Sequence, residues 1–244
     1  IGYIHKKAKN IIASDIDLTL EKGKLIALIG ANGIGKSTLI RTITGIQKPI
    51  SGTVSLNEKN IHELDSLTLA QNLSVVLTEK LPPSNLTVWE LIALGRQPYT
   101  NWIGTLTDND IAKINEAIEL TEIGHLTSKR HYEISDGQLQ IVLIARALSQ
   151  DTPLIILDEP TTHLDLEHKV NLLKLLKKLT QETQKCILFS THDIDMAIQI
   201  ADEMIIMTPE TVVQDEPCNF ISKGSFTTLF NDEHIVFDPE KGKF

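Results

Sequence analysis

The chain has 244 residues, a formal net charge of −9 and only two cysteines, a length that buries roughly 70% of the unfolded surface. The acidic balance argues against a broad nucleic-acid-binding face, because such affinity comes from clustered Lys and Arg releasing counterions. Cys186 and Cys218 show neither metal spacing nor a disulfide framework, which points to a reducing, cytosolic compartment, and the apolar runs fall far short of the ~20 residues that cross a bilayer.

Ile1 to Lys7 lacks the apolar stretch and small-residue cleavage site of a signal peptide. Up to residue 29 the chain reads as short alternating strands. The clearest is the period-two run Asp15-Ile16-Asp17-Leu18-Thr19-Leu20, ahead of a Glu21-Lys22-Gly23-Lys24 turn. Leu25 to Ile29 is apolar throughout, as a parallel strand buried on both faces must be, and Leu39, Ile40 and Ile43 give the next stretch a helical stripe. Between them lies Gly30-Ala31-Asn32-Gly33-Ile34-Gly35-Lys36-Ser37-Thr38, the spacing of a phosphate-cradling loop between strand and helix. Gly30, Gly33 and Gly35 are expected at positive φ, so that successive N–H groups turn inward around a β-phosphate at a helix N-terminus. Lys36 has the reach for β- and γ-phosphate oxygens, the Ser37 hydroxyl is placed to ligate Mg²⁺, and Thr38 supports the loop. The expected ligand is a nucleoside triphosphate.

Val75-Val76-Leu77 reads as a short buried strand, and Pro82-Pro83 blocks helical continuation. From Thr87 to Gln150 helical spacing takes over, through Leu91, Ile92 and Leu94 and then Ile111, Ile114, Ala117, Ile118 and Ile123. This is an inserted helical lobe. Near its end Ser135-Asp136-Gly137-Gln138 has the S-x-x-Q spacing of a capping box, which by itself marks only the start of the helix Leu139–Leu148. Leu154-Ile155-Ile156-Leu157 then runs into Asp158-Glu159-Pro160, placing two carboxylates at the strand edge where a parallel sheet opens its crevice. Asp158 is expected to hold Mg²⁺ through water and Glu159 to polarise an attacking water.

An amphipathic helix with Val170, Leu173, Leu176 and Leu179 on one face leads to the strand Cys186–Phe189. Ser190-Thr191-His192-Asp193 follows, with Asp193 a good N-cap for the next helix. A last unit runs from Met196, Ala197 and Ile200 into Met204–Met207. The expected fold is α/β: a P-loop NTPase core with a parallel sheet, an N-terminal antiparallel β subdomain and an inserted α-helical subdomain. We expect one domain over 1–244, with 1–80 and 150–244 as the core and 81–149 as the helical lobe.

The loop, the paired carboxylates and Ser135–Gln138 together resemble the ATP-binding cassette (ABC) family, and the resemblance runs from Tyr3 to the end of the chain. It implies an ATPase whose two copies face head to tail around two ATP molecules, Ser135, Asp136, Gly137 and Gln138 of one copy covering the γ-phosphate held by the other's loop. Asp136 departs from the family's commonest glycine. A carboxylate in a first helical turn suits the dipole but not a neighbouring phosphate, so its side chain is expected to point away or bond locally. His192 matches the family's switch histidine. Asp165, in Thr162-His163-Leu164-Asp165, is similar to the loop that communicates across the dimer, and an N-cap role is compatible with that. Tyr3 resembles the aromatic that stacks on adenine, with an ordinary strand aromatic as the other reading. Where the family carries a Mg²⁺-touching glutamine this chain reads Thr78-Glu79, either of which offers an oxygen ligand.

Leu94-Gly95-Arg96-Gln97-Pro98-Tyr99, the Thr162–Asp165 form and the closing Phe237–Phe244 are similar to the ATPase subunits of iron-siderophore, haem and cobalamin importers. That similarity implies two copies docked on two permease subunits at the cytoplasmic face of the membrane, supplied by an external binding protein. The permease contact is expected in the groove between Thr78–Leu86 and the helical lobe, where Trp89, Tyr99 and Trp102 are either anchors or core. An exporter's ATPase and a nucleotide-gated module that hydrolyses little are the alternative readings. The transported molecule is not legible in a subunit that it would never touch.

Overall fold

Apolar strands that are covered on both faces form the centre of the computed structural model, which describes residues 1–5, 8–78 and 84–228, the side chains of 3–5, 8–10, 227 and 228 excepted. In chain order the elements are β1 (Gly2–His5), β2 (Ala8–Ile11), β3 (Leu25–Gly30), α1 (Lys36–Ile43), β4 (Ser55–Leu56), β5 (Lys59–Asn60), α2 (Ser66–Ala70), β6 (Leu73–Val76), α3 (Val88–Ala93), α4 (Asp108–Leu120) and α5 (Asp136–Ser149). There follow β7 (Leu154–Leu157), α6 (Leu166–Thr183), β8 (Cys186–Ser190), α7 (Ile194–Ile200), β9 (Glu203–Met207), β10 (Val212–Asp215) and α8 (Pro217–Ser222). A six-stranded sheet has the order β10-β9-β3-β8-β7-β6, parallel except for β10, while β1-β2 and β4-β5 are small antiparallel pairs.

The period of two along each strand divides the core. Leu25, Ala27 and Ile29 of β3 join Ile155, Leu157, Ile187, Phe189, Met204 and Ile206 on the face covered by α5, α6 and α7. Ile26 and Leu28 join Ile156, Leu188, Ile205 and Met207 on the face that packs against Leu39 and Ile40 of α1. Helices α3 to α5 enclose a third core of their own, around Ile92, Ile114, Leu126 and Val142. Reciprocal capping boxes start α3 and α4, Thr87 with Glu90 and Thr107 with Asp110.

Three expectations are corrected. Asp15–Leu20 forms no strand. Its alternation reflects burial, since Ile16, Leu18 and Leu20 pack on the second core, while the backbone of Thr19 is paired by one side chain: its N–H donates to Gln214 Oε1 at 3.0 Å and its carbonyl accepts from Gln214 Nε2 at 2.7 Å. Leu94 and Ile111, two of the apolar positions at helical spacing, lie on the surface. The three lobe aromatics do not share a role either, because Trp89 packs on the lobe core, Tyr99 lies under the Arg96 guanidinium at 3.9 Å, and Trp102 is 95% exposed. Pro82-Pro83 and Phe237–Phe244 lie outside the described residues.

Arg96 is the polar pin of the lobe. Fully buried, it donates from Nε to Asp110 Oδ1 at 2.9 Å and from Nη1 to the Ser149 carbonyl at 2.8 Å, tying the start of α4 to the end of α5. The Thr107 hydroxyl, with its backbone N–H and the Arg96 guanidinium, holds the Asp110 carboxyl below the usual carboxylate range. A depressed folded value means that this contribution to stability is complete above about pH 4, the ordinary aspartate range, and is lost as pH falls through the folded value. Arg96→Ala leaves the buried carboxylate with its Thr107 bonds but no counter-charge, and is expected to lower the free energy of urea unfolding at pH 7 by about 3–5 kcal/mol; a loss below ~1 kcal/mol would show the pin to be idle.

Candidate functional site

Strand β3 delivers the phosphate loop at its C-terminal end, and α1 begins at Lys36. Gly33 and Gly35 have φ of 74° and 116°, whereas Gly30 is still strand and does not take positive φ. Gly30 is required for a different reason: a Cβ there would meet the Met207 carbonyl oxygen at 2.7 Å. At Gly35 the φ value and a Cβ position 2.3 Å from Ile12 Cγ2 both exclude a side chain. Ala31, Asn32 and Gly33 are exposed and Ile34 is half-buried, so the loop is open to a ligand. Gly35 is the N-cap of α1 and no side chain caps it, which leaves the positive end of an eight-residue helix facing the loop. Ser37 is exposed on the first turn; Thr38 accepts at its carbonyl from the Thr42 hydroxyl at 2.8 Å.

Lys36 folds back over this loop, its Nζ donating to the Gly30 carbonyl at 2.8 Å and the Ala31 carbonyl at 3.3 Å. Burial pushes its ammonium pKa down, while the carboxylates of Glu159 and Asp158 push it up. Strand β7 ends beside it. Asp158 continues the sheet ladder through its N–H to the Val76 carbonyl at 2.8 Å, and its Oδ1 accepts from the Ser190 hydroxyl at 2.7 Å. Glu159 turns out of the strand with φ of 49°. Its Oε1 lies 2.7 Å from His192 Nε2, a bond that needs the proton on that nitrogen. With that tautomer the 3.4 Å approach of Lys36 Nζ to the same nitrogen is a contact without a hydrogen bond.

Thr78 lies next to these groups, its hydroxyl donating weakly to the Asp158 carbonyl at 3.4 Å; Glu79 lies outside the described residues. Tyr3 is in β1 by its backbone, and its side chain lies outside the described ones.

The Ser135–Gln138 group sits apart. Ser135 and Gln138 form the capping box of α5, the Ser135 N–H donating to Gln138 Oε1 at 3.1 Å and the Gln138 N–H to Ser135 Oγ at 3.2 Å. Asp136 occupies the first turn, exposed, and a Cβ at Gly137 would lie 3.4 Å from the His168 ring and 3.5 Å from Leu164. Asp165 caps α6 and also binds His168 Nδ1 at 2.7 Å. The N-cap expected of Asp193 does not form: its carboxylate is taken by Thr161 Oγ1 at 3.2 Å and Lys169 Nζ at 3.0 Å.

Ser190 is the site residue whose role the sequence did not disclose. It reads as the end of an apolar strand, and the only signal in the sequence is a hydroxyl that closes an otherwise apolar run.

A family profile described as ABC transporter matches residues 13–162, and the chain belongs to that family. It is an ATP-binding cassette, the ATPase module of such transporters. Over 235 residues it is 42% identical to an uncharacterised ABC transporter ATP-binding protein of Methanocaldococcus jannaschii, covering 96% of this chain and 81% of the relative. It is 36% identical over 245 residues to the iron(3+)-hydroxamate import ATP-binding protein of Bacillus subtilis, covering 100% and 90%. Among solved structures, a metal-chelate type ABC transporter in an inward-facing conformation superposes with a TM-score of 0.78 at 29% identity, covering 88% of this chain and 80% of that one.

The two loop glycines separate two costs. Gly33→Ala meets no atom within 4 Å and pays only for its φ, about 1–3 kcal/mol. Gly35→Ala adds the collision with Ile12, so it is expected to unfold at a lower temperature and to bind ATP more weakly than Gly33→Ala; equal losses at both positions would show that the contact is immaterial.

Proposed function

We propose that this chain is the ATP-hydrolysing subunit of an importer for iron-siderophore, haem or cobalamin, working as a head-to-tail pair of copies on two permease subunits at the cytoplasmic face of the membrane, which an external binding protein supplies. The observation that carries the reading is the convergence of Lys36, Asp158, Glu159 and His192 at the ends of three neighbouring strands, directly above an uncapped helix N-terminus. The loop 30–38 takes the phosphates through backbone N–H groups and Lys36. Glu159 orients and polarises the attacking water, and His192, already hydrogen-bonded to it, contacts the γ-phosphate.

The donors present fit Mg²⁺. Among the described residues no group of three or more His, Cys, Asp or Glu could hold a metal alone, as expected of an ion that binds through one or two protein oxygens together with phosphate and water. Ser37, Asp158, and Thr78 or Glu79 would hold it. Held there, Mg²⁺ would supply charge neutralisation to the transferring phosphoryl group.

Two further features support the assembly. The Ser135–Gln138 start of α5 is an exposed or half-buried helix N-terminus bonded to itself and packed on α6, so a phosphate for it comes most simply from a second copy. No described helix is long and apolar enough to cross a membrane, which fits a subunit that relies on separate permeases, with the fully exposed Trp102 available as an anchor. The import direction and ligand class rest on the iron(3+)-hydroxamate relative and the metal-chelate type structure.

Glu159→Gln is expected to bind ATP, pair in its presence by light scattering, and lose at least about 100-fold in single-turnover hydrolysis. Hydrolysis at the wild-type rate, or a nucleotide-saturated variant that stays single even beside its permease, would overturn the reading. In a Thr78→Ala, Glu79→Ala double variant the Mg²⁺ concentration for half-maximal ATPase rate is expected to rise, and an unchanged curve removes both residues from the metal site.

A further inference from the structure

We infer that Ser190 is a positioning residue for hydrolysis, a single hydroxyl that sets both the metal-side carboxylate of Asp158 and the backbone of Glu159. The inference rests on the site proposed above and assigns a role to a residue outside the loop, the paired carboxylates and the histidine.

Ser190 ends β8 and is completely buried. Burying a hydroxyl without a partner is costly, and the residues before it in β8, Cys186 to Phe189, are apolar. Packing alone would be served by Ala or Val. Both hydrogen bonds of its hydroxyl go to the candidate catalytic pair. The Glu159 N–H donates to Ser190 Oγ at 2.8 Å, and Ser190 Oγ lies 2.7 Å from Asp158 Oδ1. Proton inventory then fixes the direction of each bond. An N–H can only donate, so the serine accepts there with a lone pair, and its one hydrogen goes to the carboxylate.

Two consequences follow. The Asp158 carboxyl is rotated so that Oδ1 faces β8, which leaves Oδ2 without a hydrogen bond among the described residues. Glu159, meanwhile, holds φ of 49°, a left-handed conformation that a residue with a side chain adopts at a cost and keeps only where its surroundings enforce it. The bond to Ser190 is the enforcing contact at its N–H. From that backbone the side chain reaches His192 on one oxygen and accepts from the Thr162 hydroxyl at 3.2 Å on the other. Ser190 therefore clamps the end of β7 to the end of β8 at the point where the two carboxylates diverge.

The test compares Ser190→Ala with wild type, and Ser190→Thr as the variant that retains the hydroxyl. Ser190→Ala is expected to lower kcat about 10-fold or more, and to weaken Mn²⁺ binding to the complex with a non-hydrolysable ATP analogue, read by electron paramagnetic resonance. ATP binding in EDTA should stay at the wild-type level, and Ser190→Thr should recover most of the kcat. A merely structural serine would shift the unfolding midpoint and leave kcat and Mn²⁺ affinity unchanged, which overturns the inference. So does a kcat loss matched by an equal loss of ATP binding in EDTA. Glu159→Gln separates the two layers: if it hydrolyses normally the site reading fails, whereas a dead Glu159→Gln beside an unaffected Ser190→Ala removes only the role of the serine.

Discussion

The neighbouring positions of β3, β8 and β7 in the central sheet are the constraint from which the site follows. Strands in a sheet lie about 4.8 Å apart, so whatever leaves their C-terminal ends is brought within side-chain reach. Those ends release the loop from Gly30, the Ser190–Asp193 segment and the Asp158-Glu159 pair, three stretches widely separated in sequence. Register keeps them level: Leu28 pairs with Ser190, and Leu157 with Phe189. A slip by one residue would exchange the two buried faces of a strand, sending Leu25, Ala27 and Ile29 into the space shaped for Ile26 and Leu28. The chemistry is thus held by apolar packing a few residues below it.

Charge is arranged on this scaffold so that the site satisfies itself before a nucleotide arrives. The buried Lys36 ammonium has two loop carbonyls as acceptors and two carboxylates as counter-charges, which offset the burial that disfavours its charge. Glu159 and His192 occupy each other. In the proposed function a triphosphate takes over these partners, offering Lys36 phosphate oxygens in place of carbonyls, and no charged group has to be brought in from elsewhere in the chain.

Much of this was legible in the sequence because the signals are local. Continuous apolar runs gave the buried strands, and capping spacing gave the starts of α5 and α6 at Ser135 and Asp165. What failed were inferences in which local chemistry is overridden by a distant partner. Gly30 looks like a third positive-φ glycine, yet it is small because Met207 of β9 passes close by. Asp15–Leu20 alternates like a strand, but Gln214 of β10 supplies the backbone partners of Thr19. Asp193 has the composition of an N-cap and is drawn instead to Lys169 and Thr161. Ser190 was invisible as a site residue for the same reason, since both of its side-chain bonds cross to the two residues that follow β7.

Helix α5 links the two halves of the molecule, and its packing bears on how a site shared between copies would transmit force. Val142 and Ala145 belong to the core of the helical lobe, whereas Leu143, Ile144, Ala147 and Leu148 belong to the core of the sheet. Its first turn rests at Gly137 on Leu164 and His168, beside the Asp165 cap of α6, and its last turn is held through the Ser149 carbonyl by Arg96. Because interiors are close-packed, such a helix shifts as a unit or not at all. In the proposed pair of copies, a pull on Ser135–Gln138 by a partner's nucleotide would therefore reach α6 directly, and the lobe that carries Trp102 through Arg96.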